Sequence, residues 1–365
     1  MGMSRFWLIA FLFVIVTEPA LAQAPSYSTP NTGVCWDMDD LAAHAGSAVT
    51  GVSPEFMIHG LVTISSQDTL IVSPGENLIF DDIGGGFQLR AMGHLLALGT
   101  AGEMITFTCT HQVPGSWFGI FLEQGLLEYC CVEYAVKGVI VDESAAVIHS
   151  TIANNETGLF LFKGSPDISG NLIINNDAGI WCDGMMDRDQ GGGKMCEPVI
   201  EGNQILDNGS YGIGLVYGTI ATVKGNLISG NERGIYSGPY DVSVVVENTI
   251  SENNYGVFCD KDIISFSALN LGNLSNESAQ DDGGNHFHGN LEYDMYNATS
   301  DTIKAEGNYW GTTDLNVIES HIYDDEEDVS DADGNGVISG PVDFMPLGET
   351  WVQHNTWGQI KAKFR

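Results

Sequence analysis

The 365-residue sequence predicts an all-β solenoid, a right-handed parallel β-helix of about ten turns with short helical caps. Three features predict it: a repeat of about 22 residues, a glycine followed by an apolar residue in each repeat, and two recurring asparagines. The glycines step by 20, 21, 33, 22 and 22 residues through Gly138, Gly158, Gly179, Gly212, Gly234 and Gly256.

The length of the repeat decides the architecture. Segments between the recurring residues are too short for helices and suit strands of three to five residues. Three such strands complete a turn, and stacked turns pair each strand with its copy about 4.8 Å away. We expect the asparagines to stack as amide ladders at a bend, including the second of each repeat at Asn175, Asn208, Asn231 and Asn253.

Both ends of the array carry predicted caps. Asp37 is a candidate N-cap for a short helix that ends near His44. Asp314 is a candidate N-cap for a helix with Leu315, Ile318 and Ile322 on one face. The first strands are predicted at Leu61–Ile64, Thr69–Val72 and Asn77–Phe80, and a closing strand at 342–344.

The first 22 residues predict a signal peptide, with Arg5, an apolar run from Phe6 to Val16 and a small-residue site ending at Ala22. A run of about eleven residues is too short for a membrane span, which needs roughly 20. We therefore expect a secreted or cell-envelope protein without a membrane span. The remaining divisions are an N-terminal cap at 23–45, β-helix repeats at 46–313, a C-terminal cap with an acidic loop at 314–346, and a tail at 347–365.

The composition is strongly acidic, with 48 Asp and Glu against 13 Lys and Arg and a net charge of −35. A field of this sign disfavours nucleic acid and anionic lipid as partners, and it attracts cations such as Ca²⁺. The alternative interpretation is that the charge serves solubility alone. Nothing in the sequence specifies an oligomeric state.

Seven cysteines are an odd number, so at least one is free or pairs outside the chain. Cys182 and Cys196 bracket the insertion that lengthens one repeat to 33 residues, and we predict a disulfide between them. Cys130 and Cys131 are adjacent, so on a strand their side chains face opposite sides.

The Asn…Gly-Ile repeats, the segment Val113–Ile120 and the segment Gly307–Asp314 resemble the exported bacterial right-handed parallel β-helix repeat proteins of pectate-lyase-like fold. The resemblance spans about residues 46 to 346 and implies the fold. It implies no single activity, because this group includes polysaccharide lyases, glycoside hydrolases, epimerases, carbohydrate-binding surface proteins and a periplasmic copper-insertion factor. Copper delivery would require Met, Cys or His at matched spacing, which the sequence does not show.

A lyase of this group is expected to use Arg or Lys as base and Ca²⁺ held by aspartates. In the insertion, Asp183, Asp187 and Asp189 are candidate Ca²⁺ ligands, and Arg188 or Lys194 is a candidate base. A glycoside hydrolase at 183–196 is a related possibility. The alternative is a surface loop without a catalytic role.

A second candidate metal site begins at Asp331. Oxygen side chains at Asp331, Asp333 and Asn335, followed by Gly336, match the start of a calcium loop. The twelfth position is Val342 rather than Glu, which departs from the full pattern. The alternative is a solvated acidic loop.

Aromatic residues recur along the repeats and are candidates to line a face that stacks on sugar rings, or to fill the core. They are Trp117, Trp181, Tyr211, Tyr217, Tyr236 and Tyr240. The leading hypothesis is an exported protein that binds carbohydrate or another surface polymer. The alternatives are a lyase or hydrolase acting at the insertion, and a passive structural or adhesive surface element.

Overall fold

The computed structural model describes residues 24–81, 89–143, 145–184, 195–260, 268–324 and 339–348. The predicted signal peptide, most of the insertion, the candidate calcium loop and most of the tail lie outside these ranges. The predicted domain boundaries stay predictions.

Short strands form three stacks, each of which runs the length of the described solenoid. The first stack contains Ser26–Ser28, Leu61–Ile64, Lys137–Val141, Thr157–Leu161, Ala178–Asp183, Tyr211–Val216, Arg233–Ser237, Tyr255–Cys259, Tyr293–Asn297 and Ile322–Tyr323. The second contains Cys35–Trp36, Thr69–Val72, Ala146–Ile148, Asp167–Ser169, Val199–Glu201, Thr222–Lys224, Val244–Val246, Asn270–Gly272, Ile303–Ala305 and Val342–Asp343. Two longer strands span both stacks and join them into one sheet, Leu89–Leu98 and Ile120–Glu128.

The third stack is a separate sheet. It contains Val49–Val52, Glu55–Ile58, Asn77–Phe80, Ile105–Cys109, Cys130–Glu133, Thr151–Ala153, Leu172–Ile174, Gln204–Leu206, Leu227–Ser229, Thr249–Ser251 and His286–His288. Within the described residues, all pairings between these strands are parallel except that of Val49–Val52 with Glu55–Ile58. This is the predicted right-handed parallel β-helix.

The core forms because the register between successive turns stays constant, so equivalent apolar side chains stack on one another. In the first stack the apolar residue after each repeat glycine pairs with its equivalent on the next turn, through Leu159, Ile180, Ile213, Ile235 and Val257, and Val257 pairs with Met295, which follows Asp294; all six are fully buried. Burying one such side chain contributes roughly 1.5–3 kcal/mol. The repeat glycines are required at the adjacent corner, because a Cβ on Gly212 would lie 2.6 Å from the Gly234 carbonyl oxygen.

Two asparagine ladders run along the corners on either side of the third stack. One passes through Asn171, Asn203, Asn226, Asn248, Asn285 and Asn308, and the other through Asn155, Asn176, Asn208, Asn231, Asn253 and Asn290. Each amide donates to the side-chain oxygen of the next member. The predicted amide stacking is confirmed, with one correction: Asn176, not Asn175, belongs to the ladder, while Asn175 is exposed with φ 57°.

The caps agree with the sequence at most positions. Helix Met38–His44 begins after Asp37, whose carboxylate accepts from the Asp40 N–H, and helix Leu315–Glu319 begins after Asp314. The prediction was wrong for Ile322, which lies in a strand that pairs with the first stack instead of extending the helix. Pairing there satisfies backbone groups that a last helical turn would leave open.

Candidate binding face

The outer surface of the first stack carries a line of aromatic side chains, here called the aromatic row. Its members occupy equivalent register positions on successive strands, each one residue after an inward apolar side chain, so they face outward. All are partly exposed. The row consists of Phe160, Trp181, Tyr236, Phe258, Tyr296 and Tyr323.

The rings of the row stack along the solenoid axis. Ring centroids of Tyr236 and Phe258 lie 6.3 Å apart, and those of Phe258 and Tyr296 lie 4.6 Å apart with planes 6° from parallel. Tyr296 and Tyr323 follow at 4.3 Å. Stacked rings cover each other's faces and turn their edges, the positive part of the ring quadrupole, toward solvent.

One position of the row is a glycine, and it makes room for a tryptophan. Gly214 lies between Trp181 and Tyr236 in the register, and a Cβ there would overlap the Trp181 ring. The Trp181 ring therefore reaches across this turn and stacks with Tyr236 at 6.2 Å and 13°. The row stays continuous although one turn contributes no side chain.

A second set of side chains flanks the row. Tyr211 lies 5.4 Å from Trp181 and 5.0 Å from Tyr236, with its ring tilted to both. Tyr255 meets Phe258 edge to face at 5.3 Å, and Tyr293 lies 5.7 Å from the Tyr296 ring in the row. Because these flanking rings are tilted against the row, the apolar surface is uneven and does not form one uniform stack.

Two cations lie on this surface. The Arg233 guanidinium is 4.5 Å from the centre of the Phe258 ring, and its Nε has no hydrogen-bond partner. The Lys137 ammonium is 3.4 Å from the centre of the Phe160 ring. Burial lowers the pKa of Lys137, and the nearby Asp183 carboxylate opposes that shift.

Lys137 and Arg233 differ from the other described lysines in what their charged groups contact. Over the described ranges, the Lys–carboxylate ion pairs involve Lys163, Lys224 and Lys304, whereas neither Lys137 nor Arg233 forms an ion pair there. The Asp183 carboxylate acts on Lys137 from a longer distance. Both cations contact aromatic faces, an arrangement worth about 0.5–2 kcal/mol.

The tyrosine hydroxyls add hydrogen-bonding groups at the rim. Tyr236 donates to an Asp260 carboxylate oxygen at 2.7 Å. Burial, together with this carboxylate, raises the pKa of Tyr236, and burial with Tyr323 close by raises that of Tyr296 to about 12. These hydroxyls therefore stay protonated and act as neutral donors and acceptors near pH 7.

The sequence-based selection of aromatic residues was right in part. Trp181, Tyr211 and Tyr236 do share one face, whereas Trp117 is buried and stacks on Phe80 at 4.0 Å. Tyr217 and Tyr240 lie in turns with φ 54° and 61°, outside the row. Sequence reasoning missed Phe160, Phe258, Tyr296 and Tyr323. The position after a repeat glycine and its apolar neighbour marks Phe160 and Phe258, whereas no such glycine precedes Tyr296 or Tyr323.

Most candidate catalytic residues lie outside the described ranges, namely Asp187, Arg188, Asp189 and Lys194. Asp183 ends the strand Ala178–Asp183, two residues after Trp181. The candidate calcium ligands Asp331, Asp333 and Asn335 also lie outside. Across the parts of the chain that the structure describes, no three His, Cys, Asp or Glu side chains are grouped to hold a metal.

Cys182 and Cys196 are both fully buried, and burial together with the neighbouring Cys196 thiol raises the pKa of the Cys182 thiol. The structure has them as thiols rather than as a disulfide. The predicted disulfide therefore stays a prediction.

Comparison with known proteins agrees with this architecture. A family model described as periplasmic copper-binding protein (NosD) matches residues 193–315, about a third of the chain. The chain is a right-handed parallel β-helix protein. No protein of curated function matches this β-helix protein in sequence.

Solved structures similar to this β-helix protein include the periplasmic alginate epimerase AlgG, at 13% identity and a TM-score of 0.37, over 86% of this chain and 82% of AlgG. A variant of the same enzyme is similar at 12% identity and a TM-score of 0.39, over 86% and 83%. No helix among the described residues is long and apolar enough to cross a membrane.

Proposed function

We propose that this exported β-helix protein binds a linear carbohydrate polymer laid along the aromatic row. The observation that carries the proposal is the row itself, a continuous line of partly exposed rings from Trp181 to Tyr323 with Phe160 at the same register position one turn earlier. Contiguous exposed apolar surface on a soluble protein marks interaction sites, and it is most conspicuous on a chain this acidic.

The direction of the row favours a polymer over a small ligand. Successive members lie on successive turns, so the row crosses the strands and follows the solenoid axis, at about 4.8 Å per turn. A chain molecule parallel to the axis meets a ring on each turn of the row except that of Gly214, which the Trp181 ring covers. Affinity should therefore rise with the length of the oligosaccharide, as expected for linked weak contacts.

The polar groups of the face suit the oxygens of a sugar chain. The rings turn their positive edges outward, and the apolar C–H surfaces of a sugar pack against the tilted Tyr211 and Tyr255. Arg233 and Lys137 are available as donors, because no carboxylate of the described chain pairs with them. The donors and rings together would orient hydroxyl or acidic groups of the polymer.

Binding to immobilised polysaccharides tests the proposal. The purified mature protein is compared with Trp181→Ala/Tyr236→Ala and with Tyr129→Ala, a control whose ring stacks on His149 in the turn between the second and third stacks. We expect at least one polysaccharide to bind, with affinity reduced more than tenfold in the double variant and unchanged in the control. Equal binding by all three proteins would contradict the proposal.

The same samples are assayed for released reducing or unsaturated sugar ends. Release that depends on Asp187 or Lys194 would favour the lyase or hydrolase acting at the insertion. Absence of both binding and release across neutral and uronate-rich polymers would favour a passive surface element.

A further inference from the structure

The two ends of the insertion meet inside the solenoid. Cys182 lies in the first stack between Leu161 and Leu215 of the neighbouring turns, and its side chain points inward. The chain returns at Cys196, which forms bridges to Gly164 and Thr219 one turn to either side. Both cysteines therefore belong to the same turn, although thirteen residues separate them in sequence.

The surroundings of the pair place both cysteines against the same neighbour. The Cys196 Sγ lies 3.7 Å from the carbonyl oxygen of Leu161, which is the register partner of Cys182 on the adjacent turn. The Thr219 hydroxyl lies 2.7 Å from the Val216 carbonyl oxygen and 3.2 Å from that of Cys182, so it can donate to either one. Neither cysteine has any exposed surface.

No other cysteine of the described chain is placed in this way. Cys130 is buried while its neighbour Cys131 faces the other side of the same strand. Cys259 lies at the same inward position as Cys182 but three strands further along the first stack. Cys35 is exposed near the N-terminus.

We propose that Cys182 and Cys196 form a disulfide in the exported protein, which fastens both ends of the insertion directly behind the aromatic row. Two S–H bonds break and one S–S bond forms, while two protons and two electrons pass to a disulfide-carrying thiol oxidant of the exterior, whose own disulfide becomes two thiols. Such bonds persist in oxidising compartments. This proposal does not depend on carbohydrate binding.

The folded structure also determines when the bond can form. Neither thiol is exposed to an oxidant, burial together with the neighbouring Cys196 thiol raises the pKa of Cys182, and only the thiolate attacks a disulfide. The bond therefore forms before the turns close around it. Protein folded under reducing conditions should oxidise slowly, and brief unfolding in the presence of oxidised glutathione should accelerate the reaction more than tenfold.

Peptide mapping tests the bond directly. The exported protein is denatured in an alkylating reagent without reductant and digested with trypsin. Arg188 and Lys194 lie between the two cysteines, so the cysteines fall in separate peptides. We expect a linked pair of peptides that separates on reduction, with five alkylated cysteines. Alkylation of both Cys182 and Cys196 would overturn the proposal.

A second measurement covers the role of the bond. Reductant should lower the melting temperature of the wild-type protein and leave that of Cys182→Ala/Cys196→Ala unchanged, because alanine keeps the site apolar and removes only the bond. Cys259→Ala is the matched control and should respond to reductant like the wild type. An equal response of wild type and double variant would show that the bond does not fasten the insertion.

Discussion

The Asp241 carboxyl group lies inside the solenoid. Asp241 has no exposed surface and accepts hydrogen bonds from the Ser237 hydroxyl at 2.7 Å, the Ser243 hydroxyl at 2.6 Å and the Ser243 N–H at 3.0 Å. Burial raises its pKa from 3.8 to about 6, although these donors act in the opposite direction. Desolvation is thus the larger effect on this group.

This shift predicts a pH dependence with a definite sign. A carboxyl group whose pKa is raised by folding stabilises the folded state fully below its unfolded pKa, and that contribution is lost as pH rises through about 6. The loss amounts to about 3 kcal/mol. Relative to Asp241→Asn, we expect the wild type to lose stability between pH 4 and pH 7. Parallel pH profiles of the two melting temperatures would contradict this.

At the scale of single elements, the sequence predicted the strands because period and residue type agree. The segments Leu61–Ile64, Thr69–Val72 and Asn77–Phe80 form strands with the predicted bounds. The ladder was misassigned by one position at Asn175, since two asparagines stand side by side there. Spacing alone does not reveal which of them turns inward.

The aromatic row was only partly predictable for a related reason. Which side chains point outward depends on register, and register is carried through turns whose lengths vary, such as the one that contains the insertion. Trp117 looked like Trp181 in the sequence, but it precedes the strand Ile120–Glu128 and packs on Phe80. Only the structure shows whether each aromatic side chain points outward or into the core.

Removal of one asparagine side chain from a ladder should lower the free energy of unfolding substantially. The Asn231 side chain donates to Asn253 and to the Ser229 and Ile205 carbonyls, and its oxygen accepts from the Asn208 N–H. Asn231→Ala leaves several of these buried groups unpaired, so we expect the free energy of unfolding to fall by about 2–4 kcal/mol.

Chemical denaturation measures this change, and an asparagine outside the ladders supplies the control. The side chain of Asn254 makes an exposed hydrogen bond to Glu232, so Asn254→Ala should stay within about 0.5 kcal/mol of the wild type. Similar losses in the two variants would mean that the ladder has no special role.

At the scale of the whole molecule, the charge of −35 opposes the packing that the repeats provide. Like charges spread over a long surface repel each other, and salt weakens the repulsion beyond about 8 Å at physiological ionic strength. Any cation should therefore stabilise the solenoid by screening. The cation–aromatic contacts of Lys137 and Arg233 locate one face where this negative field is locally interrupted.

A specific calcium site would act beyond screening, and the sequence predicts two places for it. At equal ionic strength, we expect CaCl₂ to raise the melting temperature more than NaCl. The excess should disappear in Asp331→Asn/Asp333→Asn and persist in Asp187→Asn/Asp189→Asn, because both variants remove two charges and only the first removes carboxylates of the calcium loop. Loss of the excess in the second variant alone would assign the ion to the insertion. Identical effects of the two salts on the wild type would leave screening as the whole explanation.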